Sequence, residues 1–83
     1  MDKSLADAAF YVLLAARTSP ELFEPDSDLL DALDVLRASS QVLVAEAAAL
    51  MICTIHGPYV LTPPGVGIFN RALDYLREEA QKP

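Results

Sequence analysis

Apolar residues recur along this chain with helical spacing almost throughout. Ala6, Phe10 and Leu13 form one line ending at Arg17, and Ala9, Val12, Leu13 and Ala16 form a second. Their union is a wide apolar arc, so the pattern predicts a largely buried first helix over Leu5 to Arg17. Ser4 followed by Asp7 reads as its capping pair, and Thr18-Ser19-Pro20 as its stop. Pro20 to Pro25 reads as a short connector, with Pro20 opening one helical turn and Leu22 and Phe23 plugging the end of the core.

Asp26 or Ser27 caps the next helix, and Asp28 and Asp31 fall in its first turns, where negative charge is favoured. From Leu29 no Pro or Gly occurs until Gly57. Leu29, Leu33, Leu36, Ser40, Leu43, Ala47, Leu50 and Thr54 repeat at alternating spacings of four and three. This seam predicts one central helix over residues 27–56, with about 28 residues helical and roughly 42 Å long at 1.5 Å per residue. The alternative is a break at Ser39-Ser40, where two serines offer a cap. No acid follows at the capping-box position, since Val42 and Leu43 stand there, so the continuous helix is the expectation. His56-Gly57-Pro58 ends it. A stiff loop follows to Gly65. Thr62 with Pro63 then opens a last helix, whose seam is Val66, Phe69, Leu73, Leu76 and Ala80.

The predicted fold is therefore an all-α, small antiparallel helical bundle in a single domain over residues 1–83. It has three main helices, or four if the central one breaks. Short connectors make neighbouring helices antiparallel. A continuous central helix would leave the stripe through Val42, Leu43, Ala47 and Leu50 uncovered. Each such side chain is worth about 1.5–3 kcal/mol when buried, so a two-fold dimer would cover it. A broken helix would instead close the chain into a monomeric four-helix bundle.

Composition strengthens the expectation of a contact surface. The chain has 83 residues and is 53% apolar, with only three glycines. That is more apolar material than so short a chain normally carries. The formal charge is −6, which disfavours nucleic acid and anionic membranes. From Ala38 to Asn70 the only formal charge is Glu46. Cys53 is the lone cysteine, so the chain forms no internal disulfide and reads as a reduced, cytoplasmic protein. Asp2 and Asp7 make the N-terminus a poor signal peptide, and the apolar runs are too short to span a bilayer.

Three constellations carry candidate chemistry. Glu46, Cys53 and His56 share a helical face at spacings of seven and three, and all three side chains ligate transition metals. Their plainer reading is a solvent-facing acid, a small hydrophobe and a histidine favoured by the helix dipole. Glu21, Glu24, Asp26, Asp28, Asp31 and Asp34 offer a docking patch for a basic protein, or simply a connector and a helix start. Tyr59, Val60 and Leu61, between two proline pivots, form either a binding edge or a lid over the bundle end. There is no glycine-rich phosphate loop. One His and one Cys lack a third catalytic partner, and Arg71 and Arg77 are too few for a recognition helix. No cofactor or catalytic residue is predicted.

The stretch Leu29-Leu30-Asp31-Ala32-Leu33-Asp34-Val35-Leu36-Arg37-Ala38-Ser39-Ser40, with Phe69-Asn70-Arg71-Ala72-Leu73-Asp74, resembles a family of short, uncharacterised pseudomonad proteins. These carry an "LLxNAxExLxSAS" helix followed by a "VNRALD" helix. The resemblance covers about half the chain. It implies a small, helical, bacterial protein and brings no activity with it.

The leading functional expectation is a non-enzymatic protein-protein interaction module. It would act as a homodimer or by binding another protein, through Val42, Leu43, Ala47, Leu50, Tyr59, Val60 and Leu61. The alternatives are a small inhibitor or adaptor of host machinery, of the kind mobile elements encode, and a small-ligand or metal-binding bundle.

Overall fold

Four α-helices and one 3-10 turn account for the computed structural model, which describes all residues from Met1 to Pro83. Helix α1 spans Lys3–Thr18, the 3-10 turn Pro20–Leu22, α2 Asp28–Arg37, α3 Val42–His56 and α4 Pro63–Gln81. Helix α1 starts two residues before the predicted point. Asp2 is its N-cap, with no side-chain capping bond, and Ser4 lies inside the helix. Its last residue, Thr18, donates its hydroxyl back to the Leu14 carbonyl at 2.9 Å. In the connector, Phe23 is buried and Leu22 is exposed, so one aromatic ring does the plugging expected of both.

The central helix is not continuous. It ends at Arg37 and restarts at Val42. The local cause is visible. The Ala38 and Ser39 amides donate to carbonyls three residues back, Val35 and Leu36, which tightens the final turn. The Ser39 hydroxyl then accepts from the Gln41 amide at 3.1 Å, giving the backbone a partner outside the helical ladder. Serine does this without an acid at the capping-box position, which is why the absence of that acid was a poor guide. By contrast Ser27 caps α2 as expected, accepting from the Leu30 amide at 3.1 Å.

The break decides the packing. Helix α2 turns back along α3, α3 packs on α4, and α4 packs on α1. The heptad-like seam is thereby folded onto itself. Leu33 and Ala47 are fully buried, and Leu29, Leu36, Leu43 and Leu50 pack around them in one core with Leu13, Met51, Phe69 and Leu76. Of the stripe expected to need a dimer mate, the chain's own helices bury Ala47 and half-cover Leu43 and Leu50, while Val42 stays exposed. Ala47, placed above among the contact residues, is interior and touches no solvent.

Surface and size agree with a self-contained bundle. The accessible area is 5030 Å² for 9.0 kDa, against about 4,850 Å² for a folded monomer of that mass. The radius of gyration is 11.9 Å, against about 11.8 Å for a compact domain of this length. No helix is long and apolar enough to cross a membrane.

Where α3 ends and the last loop begins, glycine is required for space. A Cβ on Gly57 would lie 2.8 Å from the Cys53 carbonyl oxygen, to which the Gly57 amide donates at 3.0 Å. Its φ of −129° is open to any residue, so the close approach, and not backbone freedom, selects glycine there.

Candidate functional site

The largest opening on the bundle lies between α1 and α2. These helices are consecutive in sequence but meet sparsely, whereas α1–α4, α2–α3 and α3–α4 are closely packed. A trough of about 610 Å³ runs between the N-terminal half of α1 and the C-terminal half of α2. Met1, Leu5, Ala8, Ala9 and Val12 form one wall. Ala32, Val35, Leu36 and the Ala38–Ser40 turn form the other. The cause is side-chain size. Alanines at 8, 9, 32 and 38 are too short to fill the space, so the pair gapes at the end away from its connector.

The trough keeps large apolar side chains in water. Leu5 is 64% exposed, Val35 71% and Met1 45%. On α1 the positions Leu5, Ala8, Ala9 and Val12 follow the i, i+3, i+4, i+7 rule for one face, and on α2 Ala32, Val35 and Leu36 share a face at i, i+3, i+4. Two such faces set side by side make a slot for a third helix.

None of these residues was among the predicted contacts. Leu5 and Val35 stood outside the apolar lines used to build the helices. That was the available signal, since an apolar residue left off the buried stripe is a surface residue.

The predicted contact residues scatter. Val42 is 67% exposed at the start of α3, with Leu43 and Leu50 half-buried behind it. In the loop, Tyr59 and Leu61 fold onto α4, where a Cβ on Gly65 would lie 2.9 Å from Leu61 Cδ1 and 3.2 Å from the Tyr59 hydroxyl. The Tyr59 hydroxyl also reaches Thr62 Oγ1 at 3.5 Å. Thr62 is the N-cap of α4, yet its hydroxyl caps no amide there. Only Val60 points out, at 77% exposure. The loop is a lid with one apolar tip.

Glu46, Cys53 and His56 are exposed. Glu46 and Cys53 share a shallow groove with Ala49, Leu50, Tyr59 and Ile68, and His56 is not part of it. No group of three His, Cys, Asp or Glu side chains is placed to hold a metal ion. The six acids from Glu21 to Asp34 are all exposed, on the connector and along α2.

One polar cluster perturbs titration. At the end of α4, Lys82 Nζ lies 2.8 Å from Glu79 Oε2. Hydrogen bonds from Lys82, then from Tyr75, hold the Glu79 carboxyl below the usual range. Loss of solvent around the Tyr75 phenol, then its contact with Glu79, pushes that group up. No side-chain polar atom is buried without a partner. No polar or charged residue is buried.

No protein-family model, curated protein or solved structure matches the chain.

Proposed function

We propose that this is a non-enzymatic interaction module of the bacterial cytoplasm, which works by presenting the α1–α2 trough to a protein. The observation that supports the reading is that Leu5 and Val35, each more than half exposed, line the same apolar trough from its two walls, whereas the exposed apolar residues Tyr11, Leu22, Val42 and Val60 lie outside it. Exposed apolar patches that are continuous and concave mark association sites more often than scattered residues do. Small-molecule binding is less well supported. A site of that kind places a few polar groups to orient its ligand, and here only Ser39 and Ser40 interrupt an apolar lining.

This reading replaces the surface expected from sequence with a different one, and keeps the kind of function. Homodimerisation and adaptor activity are both forms of it. A photo-crosslinking residue at position 5 or 35, compared with one at Asp74 on α4, tests it in the cell. The expected result is a discrete adduct from positions 5 and 35 and none from 74. Equal or absent labelling at all three positions contradicts it.

A further inference from the structure

We propose that a second cavity, between the end of α1, the second half of α3 and the start of α4, binds a small amphipathic carboxylate: an apolar body with one carboxylate head. The site is separate from the α1–α2 trough, so the inference goes beyond the interaction reading.

Packing creates the space. Helices α1 and α3 meet sparsely, while each packs closely on α4. Where the C-terminal halves of α1 and α3 face each other, Ala16 and Thr54 are too short to close the gap. A cavity of about 410 Å³ results, within the range of about 300–1,000 Å³ that small-molecule sites occupy. Met51 is buried and forms its floor. Ile55, Leu61 and Val66 are half-buried and form its walls. Such a lining suits hydrocarbon.

One charged side chain lines the cavity, that of Arg17. Arg17 is exposed, so the cation stands at the mouth. Its guanidinium lies 5.3 Å from the centre of the Phe69 ring, and Phe69 is one turn along α4 from Val66. That contact restrains the cation and gives its N–H groups no acceptor oxygen. The ion pairs of the chain are Asp34 with Arg37 and Glu79 with Lys82, and Arg17 has neither an acid nor a side-chain hydrogen bond. Glu21 and Glu24, in the nearby connector, are exposed and do not line the cavity. The other polar side chain in the lining is Thr54, whose hydroxyl already donates to the Leu50 carbonyl at 2.7 Å. The free donors are therefore those of Arg17. A guanidinium presents them as a planar fork that matches a carboxylate.

This arrangement supplies what the trough lacks, a charged group placed to orient a ligand beside an apolar lining. It also limits the head to one negative charge. A single guanidinium neutralises a single carboxylate, and a chain of net charge −6 opposes any surplus.

The test titrates the intact protein with octanoate, octanol, octylammonium and acetate, each below its self-association range, and reads methyl NMR shifts. Octanol keeps the apolar body without the charge, octylammonium reverses the charge, and acetate keeps the head alone. Arg17→Gln removes the cation at an exposed position, and circular dichroism checks the fold.

The expected result is saturable octanoate shifts at Met51, Ile55, Leu61 and Val66, with Leu5 and Val35 unmoved, and no saturable shifts with acetate. Octanol should bind about five- to tenfold more weakly than octanoate, and octylammonium more weakly still. Arg17→Gln should bring octanoate down to the level of octanol and leave octanol unchanged. Lost packing alone would weaken both. Octanoate binding that Arg17→Gln leaves unchanged overturns the proposal, as does equal binding of octanoate and octylammonium. Octanoate shifts that do not saturate, or that centre outside the cavity, overturn it too. The interaction reading has its own readout, crosslinking at positions 5 and 35, and survives each of these failures.

Discussion

The Arg17 guanidinium lies 5.3 Å from the centre of the Phe69 ring, joining the end of α1 to the first half of α4. Arg77 makes the reverse contact, 5.3 Å from the centre of the Phe10 ring, joining the second half of α4 to the middle of α1. The two helices are antiparallel, so each supplies the cation at one end and the ring at the other. Such contacts are worth about 0.5–1 kcal/mol at exposed sites. A double-mutant cycle on Arg77→Gln and Phe10→Leu should give a coupling of that size by chemical denaturation. Additive effects would show that the rings serve only as packing.

Phe23 and Leu22 are adjacent in the connector and opposite in burial. Phe23→Ala should cost about 3–5 kcal/mol, as large-to-small changes in a packed core do. Leu22→Ala should change stability by less than about 0.5 kcal/mol. Urea midpoints of the two variants check this, and similar losses would mean that the connector is not held as described.

Gly67 lies within α4, and a Cβ there would meet nothing within 4 Å. Gly67→Ala should therefore stabilise the protein by about 0.5–1 kcal/mol, through helix propensity and a less flexible unfolded chain. Gly57→Ala should destabilise it, because the new Cβ meets the Cys53 carbonyl oxygen of the backbone. Thermal melts should move in opposite directions.

Most of the fold was legible in the sequence. The start of α4 at Pro63, the stop at Gly57 and the Ser27 cap follow from proline, glycine and hydroxyl chemistry, which acts locally. The break before Val42 was not settled, although the serines that make it were noticed. An unbroken heptad-like seam looks the same whether it forms one helix against a partner or two helices folded against each other. Only the geometry of Ser39 and Gln41 tells them apart. Once the seam closes on itself, Ala47 becomes interior and the unfilled space moves to α1–α2, where small alanines leave it.

Ser39 should then matter more than its exposed neighbour Ser40. Ser39→Ala removes the acceptor for the Gln41 amide and should cost about 0.5–1.5 kcal/mol, whereas Ser40→Ala should be nearly neutral. The bundle itself should survive, because Leu33, Ala47 and Met51 still need burial. A mass in solution that doubles in Ser39→Ala would show instead that the turn alone keeps the chain folded back.

At the end of α4 the Glu79 carboxyl titrates below an ordinary glutamate because of Lys82 and Tyr75. A lowered folded-state value stabilises the protein above the ordinary glutamate range. That contribution is lost as the pH falls through the lowered value. Carboxyl-detected NMR titration should show Glu79 below the other glutamates, and Lys82→Met should raise it. An unchanged value in Lys82→Met would remove the ion pair as its cause.

The α1–α2 trough as a working surface is tested most directly by methyl NMR during titration with an amphipathic helical peptide that carries leucine at i, i+3, i+4 and i+7. The predicted result is that shifts concentrate at Leu5, Val12, Val35 and Leu36, while Leu50, Val60 and Ile68 stay in place. Shifts centred on α3 and the 57–62 loop, or no saturable shifts, would contradict it.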